Sequence, residues 1–194
     1  ETSMSGNLHI PMSLKLPEIL FITTIPPRQC GIATYSQDLI KALENKFKGS
    51  FKIKVCALES NTEQKTYDDQ VQYKLNTDDK GAYNNLTQKI NDNSNIKMIL
   101  LQHEFGLFRN NEEELIAFLK NINKPVIIGF HTVLPNANDL FKAHLNSIIE
   151  KVHSIIVMTN AAAKILMDEY RVSQDRIVVI PHGTHLVPHT DKDT

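Results

Sequence analysis

The chain has 194 residues, of which 41% are hydrophobic and 22% are charged, and its formal net charge is −1. This nearly neutral balance is typical of a globular domain and argues against a nucleic-acid partner, which would favour a basic excess. No run approaches the roughly 18 apolar residues that a membrane-spanning helix needs. The first residues lack the basic and apolar regions of a secretory signal, so we expect a cytoplasmic protein with Cys30 and Cys56 reduced.

Residues 18–47 carry the clearest structural pattern. The strand predicted at 19–25 begins with four consecutive apolar residues, as expected of a strand buried on both faces. Two prolines, which have no N–H to donate to a sheet, end it, and Gly31 opens a helix with apolar residues at steps of three and four. The free N–H groups at such a helix start favour an anion or sugar hydroxyls. A plain turn is the alternative interpretation.

The rest of the chain alternates short apolar runs with amphipathic segments. Further strands are predicted at 51–58, 96–102, 125–130, 154–158 and 176–180, with a short edge strand at 71–75. Helices are predicted at 78–92, 110–122, 138–152 and 161–170. Asn110 or Asn111 is the candidate cap of the second of these helices, and Thr159 or Asn160 is the candidate cap of the last. This alternation predicts an α/β domain with about seven strands in a doubly wound parallel sheet.

Unusual polar residues collect where the predicted strands end. In doubly wound sheets, ligands bind outside the carboxyl ends of the strands, at the point where the strand order reverses. With the common order 3-2-1-4-5, the loops 26–31 and 103–108 flank that point, and the loop 131–138 is the next one along. The candidate residues in these loops are Arg28, His103, Glu104, His131 and Asn136. We therefore expect the ligand site at this edge of the sheet.

Each of these residues also has a plainer interpretation. Arg28 fits an anion contact or a solvated charge, and His103 fits a site residue or a hydrogen-bonded strand end. Glu104 precedes a predicted turn at Phe105-Gly106 and fits substrate hydrogen bonding or solvent exposure. His131 ends an apolar strand, where an unpaired imidazole is costly, so we favour a functional role.

Two further patterns receive no functional assignment. Cys30 lies at the start of a helix, where a thiolate would be stabilised, but no partner base is evident and a packing role is favoured. His182, His185 and His189 have a zinc-like spacing, but no helix is predicted there, so no metal site is expected. The absence of GxGxxG, GxxxxGK[ST] and GxSxG motifs argues against dinucleotide, P-loop and hydrolase functions.

Five strings occur in order along the chain: FITTIPPRQCGIATYSQDL, LLQHEFGLF, GFHTVLPN, IIVMTNAAAKIL and RIVVIPHGTH. Together they resemble the amino-terminal half of bacterial group 1 (GT4-like) glycosyltransferases, from about Leu16 to about Leu186. The resemblance implies the amino-terminal, Rossmann-like half of a two-domain GT-B fold. It divides the chain into a flexible lead-in at 1–15, an acceptor-side domain at 16–183, and a tail at 184–194 leading to a missing donor-binding domain.

The resemblance also implies residue roles. Gly31 matches the glycine of the first loop, which approaches the donor diphosphate. His131 matches the histidine of the family's H-T motif, near the transferred sugar, and Glu104 matches a rim loop that faces the cleft; these two are the candidate catalytic residues. The further expected substrate contacts are Arg28, His103, Thr132 and Asn136. No metal and no cofactor are expected.

The implied function is transfer of a hexose from a nucleoside-diphosphate sugar to a carbohydrate-type acceptor, with retained anomeric configuration. The resemblance ends near Leu186 without a recognisable donor half, which carries the family's paired glutamates, so the isolated chain is expected to be inactive. A lipid-linked acceptor would add peripheral membrane contact. The alternatives are a nucleotide-sugar epimerase of the same fold and a non-catalytic Rossmann-like binding module.

Overall fold

The computed structural model of the chain describes residues 15–182. The predicted tail and all but the last residue of the predicted lead-in lie outside these residues. Seven strands and six α-helices are present within them: β1 (Glu18–Thr23), α1 (Gly31–Lys46), β2 (Lys52–Glu59), β3 (Val71–Asn76), α2 (Lys80–Asp92), β4 (Ile96–His103), α3 (Phe105–Phe108), α4 (Glu112–Asn121), β5 (Val126–Phe130), α5 (Asp139–Ile149), β6 (Ser154–Val157), α6 (Asn160–Tyr170) and β7 (Ile177–Val179). A 3-10 turn at Gln174–Arg176 precedes β7.

All seven strands belong to one parallel sheet in the order β3-β2-β1-β4-β5-β6-β7. The order runs one way from β1 to β3 and the other way from β4 to β7, so it reverses between β1 and β4. This is the doubly wound arrangement that the sequence predicts, with β3 as an edge strand. The reversal leaves a crevice at the carboxyl ends of β1 and β4.

The helices divide unequally between the two faces of the sheet. Ile40 of α1 packs on one face with Phe21, Val55 and Leu100. The opposite face carries the larger core, to which helices α2, α4, α5 and α6 contribute their apolar side chains, among them Leu86, Phe118, Leu145 and Leu166. Successive side chains of a strand alternate between these two faces, so the face toward which a strand-end residue points decides its neighbours.

The predicted element bounds agree closely with the structure. Each predicted strand end lies within two residues of the observed one. Thr159 is confirmed as the cap of α6, because its side chain accepts a hydrogen bond from the Ala162 N–H. None of the helices within residues 15–182 has the length and apolar character needed to cross a membrane.

Two local predictions around residue 110 are wrong. Phe105-Gly106 is not a turn but the start of α3, because the Glu104 carboxylate caps the Phe105 N–H and Phe108, three residues on, is buried. Asn111 precedes α4, yet its side chain makes no cap hydrogen bond. Its amide instead donates to the Thr77 carbonyl at 2.8 Å, which ties the start of α4 to the end of β3.

Candidate functional site

The loops that follow β4 and β5 lie side by side at the carboxyl edge of the sheet. The His131 N–H donates to the His103 carbonyl at 3.0 Å, which continues the pairing of the two strands. The structure therefore brings together the predicted residues 103–104 and 131–132. Their side chains nevertheless form two separate clusters, one around His131 and one that joins Glu104 to Thr132.

The first cluster is built on Gln102, a residue that the sequence analysis passed over. Its side-chain oxygen lies 2.7 Å from His131 Nε2, and the residue is only 1% exposed. Gln102 is paired across the sheet with Gly129, and a Cβ on Gly129 would overlap the Gln102 side-chain oxygen. Glycine at 129 therefore opens the path along which Gln102 reaches the imidazole.

The Gln102 contact and burial together define the state of His131. An amide oxygen only accepts hydrogen bonds, so Nε2 of the imidazole carries the proton and Nδ1 holds a lone pair. Burial, aided by the nearby His182, lowers the pKa of His131 to about 4. The ring is thus neutral at neutral pH and is held in one tautomer, which suits it to accept a hydrogen bond from a hydroxyl group.

Two more aromatic rings surround His131. Tyr35 of α1 lies edge-on to it, with ring centroids 5.2 Å apart, and His182, which follows β7, lies 5.6 Å from it. The Tyr35 and His182 rings are 4.6 Å apart and complete a triangle. The Tyr35 hydroxyl is buried without a hydrogen-bond partner among residues 15–182, and burial raises its pKa.

His103 faces the opposite side of the sheet and lies in the core. It is 2% exposed, and its ring contacts those of Phe105, Phe108 and Phe130 at centroid distances of 5.2, 5.5 and 5.3 Å. Burial, followed by the charges of His144 and His131, lowers its pKa to about 3. This position gives His103 a packing role in the structure, in place of the substrate contact that the resemblance implies.

The second cluster joins the two loops through Glu104. One carboxylate oxygen accepts from the Thr132 hydroxyl at 2.7 Å, and the other accepts from the Phe105 N–H at 3.0 Å. Both residues are half-buried. The structure therefore brings Glu104 and Thr132 together, and the hydrogen bond between them joins the two loops at the rim of the crevice.

The first loop places Arg28 and Gly31 on the other side of the crevice. The Arg28 guanidinium forms a 2.9 Å ion pair with Glu63, and its side chain is 20% exposed. Gly31 is exposed at the start of α1. Cys30 occupies the cap position of this helix but makes no side-chain cap bond, and its sulfur lies 3.2 Å from the Thr24 hydroxyl.

Asn136 contributes through its backbone. Its φ of 53° lies in the left-handed region, which asparagine tolerates better than most residues. Its N–H donates to both carboxylate oxygens of Glu169, at 2.9 and 3.1 Å, and Glu169 also pairs with Lys142 at 3.1 Å. The loop 131–138 is thus anchored to α6, with the Asn136 side chain left exposed.

No group of three or more histidine, cysteine or acidic residues within 15–182 is arranged to hold a metal ion. Of the three histidines with zinc-like spacing, His185 and His189 lie outside the described residues. His182 instead joins the aromatic triangle around His131.

Comparison of the sequence with models of known protein families identifies one family. The model of Glycosyltransferase Family 4 matches residues 30–187, most of the chain. The chain belongs to this family. The comparison with curated proteins gives no match.

Solved structures support the same fold for this family 4 domain. A glycosyltransferase from Rickettsia africae superposes over 86% of the chain with a TM-score of 0.55 and 15% identity. An α-glucosyltransferase in complex with UDP-glucose and DNA superposes over 80% with a TM-score of 0.52 and 12% identity. The chain spans only 43% and 39% of their lengths. These likenesses show a Rossmann-like domain of the GT-B fold.

Three residues of the His131 cluster escaped the sequence analysis. Gln102 and Gly129 had recognisable signals, since a polar residue inside an apolar strand needs a partner and a glycine inside a strand indicates a close approach. Tyr35 had none, because its position on the α1 stripe is equally typical of a core residue.

Gly129→Ala tests the Gln102–His131 arrangement. The added methyl would displace the Gln102 side chain, so we expect a loss of about 1–3 kcal/mol in the free energy of unfolding, as for other overpacked sites. The control is Gly106→Ala, where a Cβ meets nothing within 4 Å and helix propensity favours alanine. Urea denaturation measures both variants, and equal stabilities would contradict the packing argument.

The buried histidines predict acid sensitivity. The folded-state pKa of His103 lies below its ordinary value, so its stabilising effect is complete above about pH 6.5 and is lost as the pH falls toward about 3. The loss amounts to about 1.4 kcal/mol per pH unit for one histidine. His103→Phe should flatten this slope, measured by urea denaturation at several pH values. Phe108→Leu, in the same cluster, should lower stability equally at every pH; parallel slopes for wild type and His103→Phe would refute the assignment.

A double-mutant cycle tests the Glu104–Thr132 bond. Because the acceptor is a half-buried carboxylate, we expect Glu104→Gln and Thr132→Val to show a coupling energy of about 1 kcal/mol in unfolding free energy. Strictly additive losses would show that the two loops are held together by other contacts.

Proposed function

We propose that the protein transfers a sugar from a nucleoside-diphosphate sugar to a hydroxyl of a carbohydrate-type acceptor, with retention, and that the present domain holds the acceptor. The observation that carries the proposal is the neutral His131, fixed in one tautomer by Gln102 at the carboxyl edge of the sheet. A neutral imidazole with a free lone pair binds a sugar hydroxyl without introducing a charge.

The start of α1 supports a role for Gly31 beside the donor diphosphate. The helices α2, α5 and α6 have their first turns capped by the side chains of Asp79, Asn138 and Thr159, whereas α1 has no side-chain cap and no acidic residue in its first turn. Its N–H groups and dipole are therefore available to an anion. Tyr35, one turn further along α1, contacts the His131 ring and brings this helix start next to the imidazole.

In the proposed reaction, the bond between the anomeric carbon and the diphosphate oxygen breaks, and the acceptor oxygen bonds to the same carbon on the same face. The proton of the acceptor hydroxyl passes to the leaving phosphate oxygen, so no side-chain base is required. His131 orients the transferred sugar, and the N–H groups at Gly31 stabilise the charge that develops on the diphosphate. The scheme uses no metal and no cofactor.

The remaining residues are assigned to the acceptor. Glu104 and Thr132 form one rim of the crevice, and Arg28 forms part of the other, while Asn136 presents its exposed amide from the anchored loop. We retain the cytoplasm as the proposed location, and peripheral membrane contact where the acceptor is lipid-linked. The net charge of −1 offers no support for a nucleic-acid acceptor, although one structural neighbour is in complex with DNA.

The donor is proposed to bind to a second domain, because the chain spans 43% and 39% of the two structural neighbours. The isolated chain is accordingly expected to bind acceptor without transferring sugar. The experiment is a screen of nucleotide sugars with the full-length protein, scored by release of nucleoside diphosphate. Interconversion of donors without release would indicate an epimerase, and absence of both would indicate a binding module.

The His131→Ala variant of the full-length protein tests the role of the imidazole. We expect kcat to fall on the order of a hundredfold with a smaller change in KM, because the contact strengthens as the sugar separates from the diphosphate. Gln102→Leu should also lower kcat, because the imidazole loses the hydrogen bond that fixes its orientation. If kcat of the folded His131→Ala protein stays within about twofold of wild type, His131 has no such role.

A further inference from the structure

A small polar cleft lies on the far side of the crevice from His131. Its volume is about 220 Å³, below the roughly 300–1,000 Å³ of sites that enclose drug-sized ligands, so it accommodates a single small group. The loops after β1, β2, β3 and β4 all contribute to it, so it lies at the point where the strand order reverses. Its charged and polar lining includes Arg28, Thr62, Asp78, Arg109 and Asn110.

The negative group in this cleft is already engaged. One carboxylate oxygen of Asp78 accepts from the Asn61 N–H at 2.9 Å, and the other accepts from the Asn110 amide at 3.1 Å. The Asn61 bond, then the Asn110 bond and the nearby charge of Arg109, lower the pKa of Asp78. The carboxylate therefore holds the loops after β2, β3 and α3 together, and both of its oxygens have donors from the protein.

The two guanidinium groups retain unused donors. Arg109 is exposed at the end of α3 and forms no ion pair with any residue between 15 and 182. Arg28 is largely shielded from solvent and is held in place by one Nη2 contact with Glu63. Since a guanidinium has five N–H donors, Arg28 keeps several beyond this contact. Arg28 and Arg109 both line the small cleft, and a guanidinium suits a carboxylate or phosphate because its donors can bind two oxygens at once.

We propose that the acceptor carries an anionic group, a carboxylate or a phosphate, and that Arg28 and Arg109 bind it in this cleft. The inference rests on the proposed function and adds the substrate class. Arg28 is three residues before Gly31, so an acceptor anchored at its anion extends toward the start of α1, where the diphosphate is proposed to lie. The hydroxyl groups of Ser60 and Thr62, 3.2 Å apart, supply further donors for sugar oxygens.

The larger neighbouring cleft fits an anion less well. Its volume is about 520 Å³, and it lies between the start of α4 and α5, with Arg109 on its border. Counting lysine, arginine, aspartate and glutamate, its lining has two cations, Lys80 and Arg109, against three carboxylates at 112–114, a formal charge of −1. The smaller cleft has two cations, Arg28 and Arg109, against the one carboxylate of Asp78, a formal charge of +1, so it attracts an anion better. The anionic group is therefore assigned to the smaller cleft, and the rest of an extended acceptor to the larger one.

Titrating three probes into the chain tests this assignment: glucuronic acid, glucose 6-phosphate and the neutral methyl glucoside. We expect at least one anionic probe to bind ten or more times as tightly as the neutral one, and the tighter of the two shows whether the anion is a carboxylate or a phosphate. Arg109→Gln should lower that affinity about tenfold and leave the neutral probe unchanged. Arg28→Lys keeps the positive charge but loses the planar guanidinium donors, so it should lower the affinity for the anionic probe less than Arg28→Gln does.

Arg171→Gln is the matched control, because it removes the same charge from an exposed arginine at the opposite end of the sheet, after α6. Equal affinity for charged and neutral probes, or equal losses in Arg109→Gln and Arg171→Gln, would overturn the proposal. Diphosphate release by the full-length protein with neutral acceptors would then leave the proposed transfer standing. Arginine-dependent anion binding without diphosphate release from any donor would support the cleft and contradict the transfer.

Discussion

Burial of β1 and β4 side by side at the centre of the sheet is the constraint from which the site follows. Leu20, Phe21 and Ile22 are fully buried, so β1 must be covered on both faces, by α1 on one and by α2 and α4 on the other. The chain covers both faces by adding β2 and β3 on one side of β1 and then crossing back to add β4 to β7 on the other side. The crevice between the diverging loops is therefore a by-product of core packing, and the site residues occupy it.

The architecture was predictable because it depends on local patterns. The apolar runs predicted the ends of each strand to within two residues. The alternation of strands with amphipathic helices predicted that the strands are parallel. The short helix α3 was missed because it depends on the cap that Glu104 gives Phe105 and on the burial of Phe108. A helix of four residues is too short to show an apolar periodicity in the sequence. Arg109, which directly follows α3, lines both the small and the larger cleft.

That the loops after β4 and β5 meet at the carboxyl edge of the sheet was predictable, but the contacts of their individual side chains were not. Gln102, His103 and Glu104 lie at the end of one apolar strand. Their side chains alternate, but the sequence alone does not tell which of them faces α1 and which faces the larger core. The structure places His103 among three phenylalanines and Gln102 against His131. The ion pair of Arg28 with Glu63 joins separate loops, so its formation depends on tertiary structure.

The anchoring of Asn136 to Glu169 has a consequence for protein engineering. The loop 131–138 belongs to the β5–α5 unit, but the carboxylate that fixes its tip comes from α6, one unit later. Evolution or design that exchanges this loop for that of a homologue must therefore exchange position 169 with it, and Lys142 as its counter-charge. A chimera whose crossover point falls between α5 and α6 would separate the loop from its support. The structural unit that must be exchanged is thus larger than the contiguous loop 131–138.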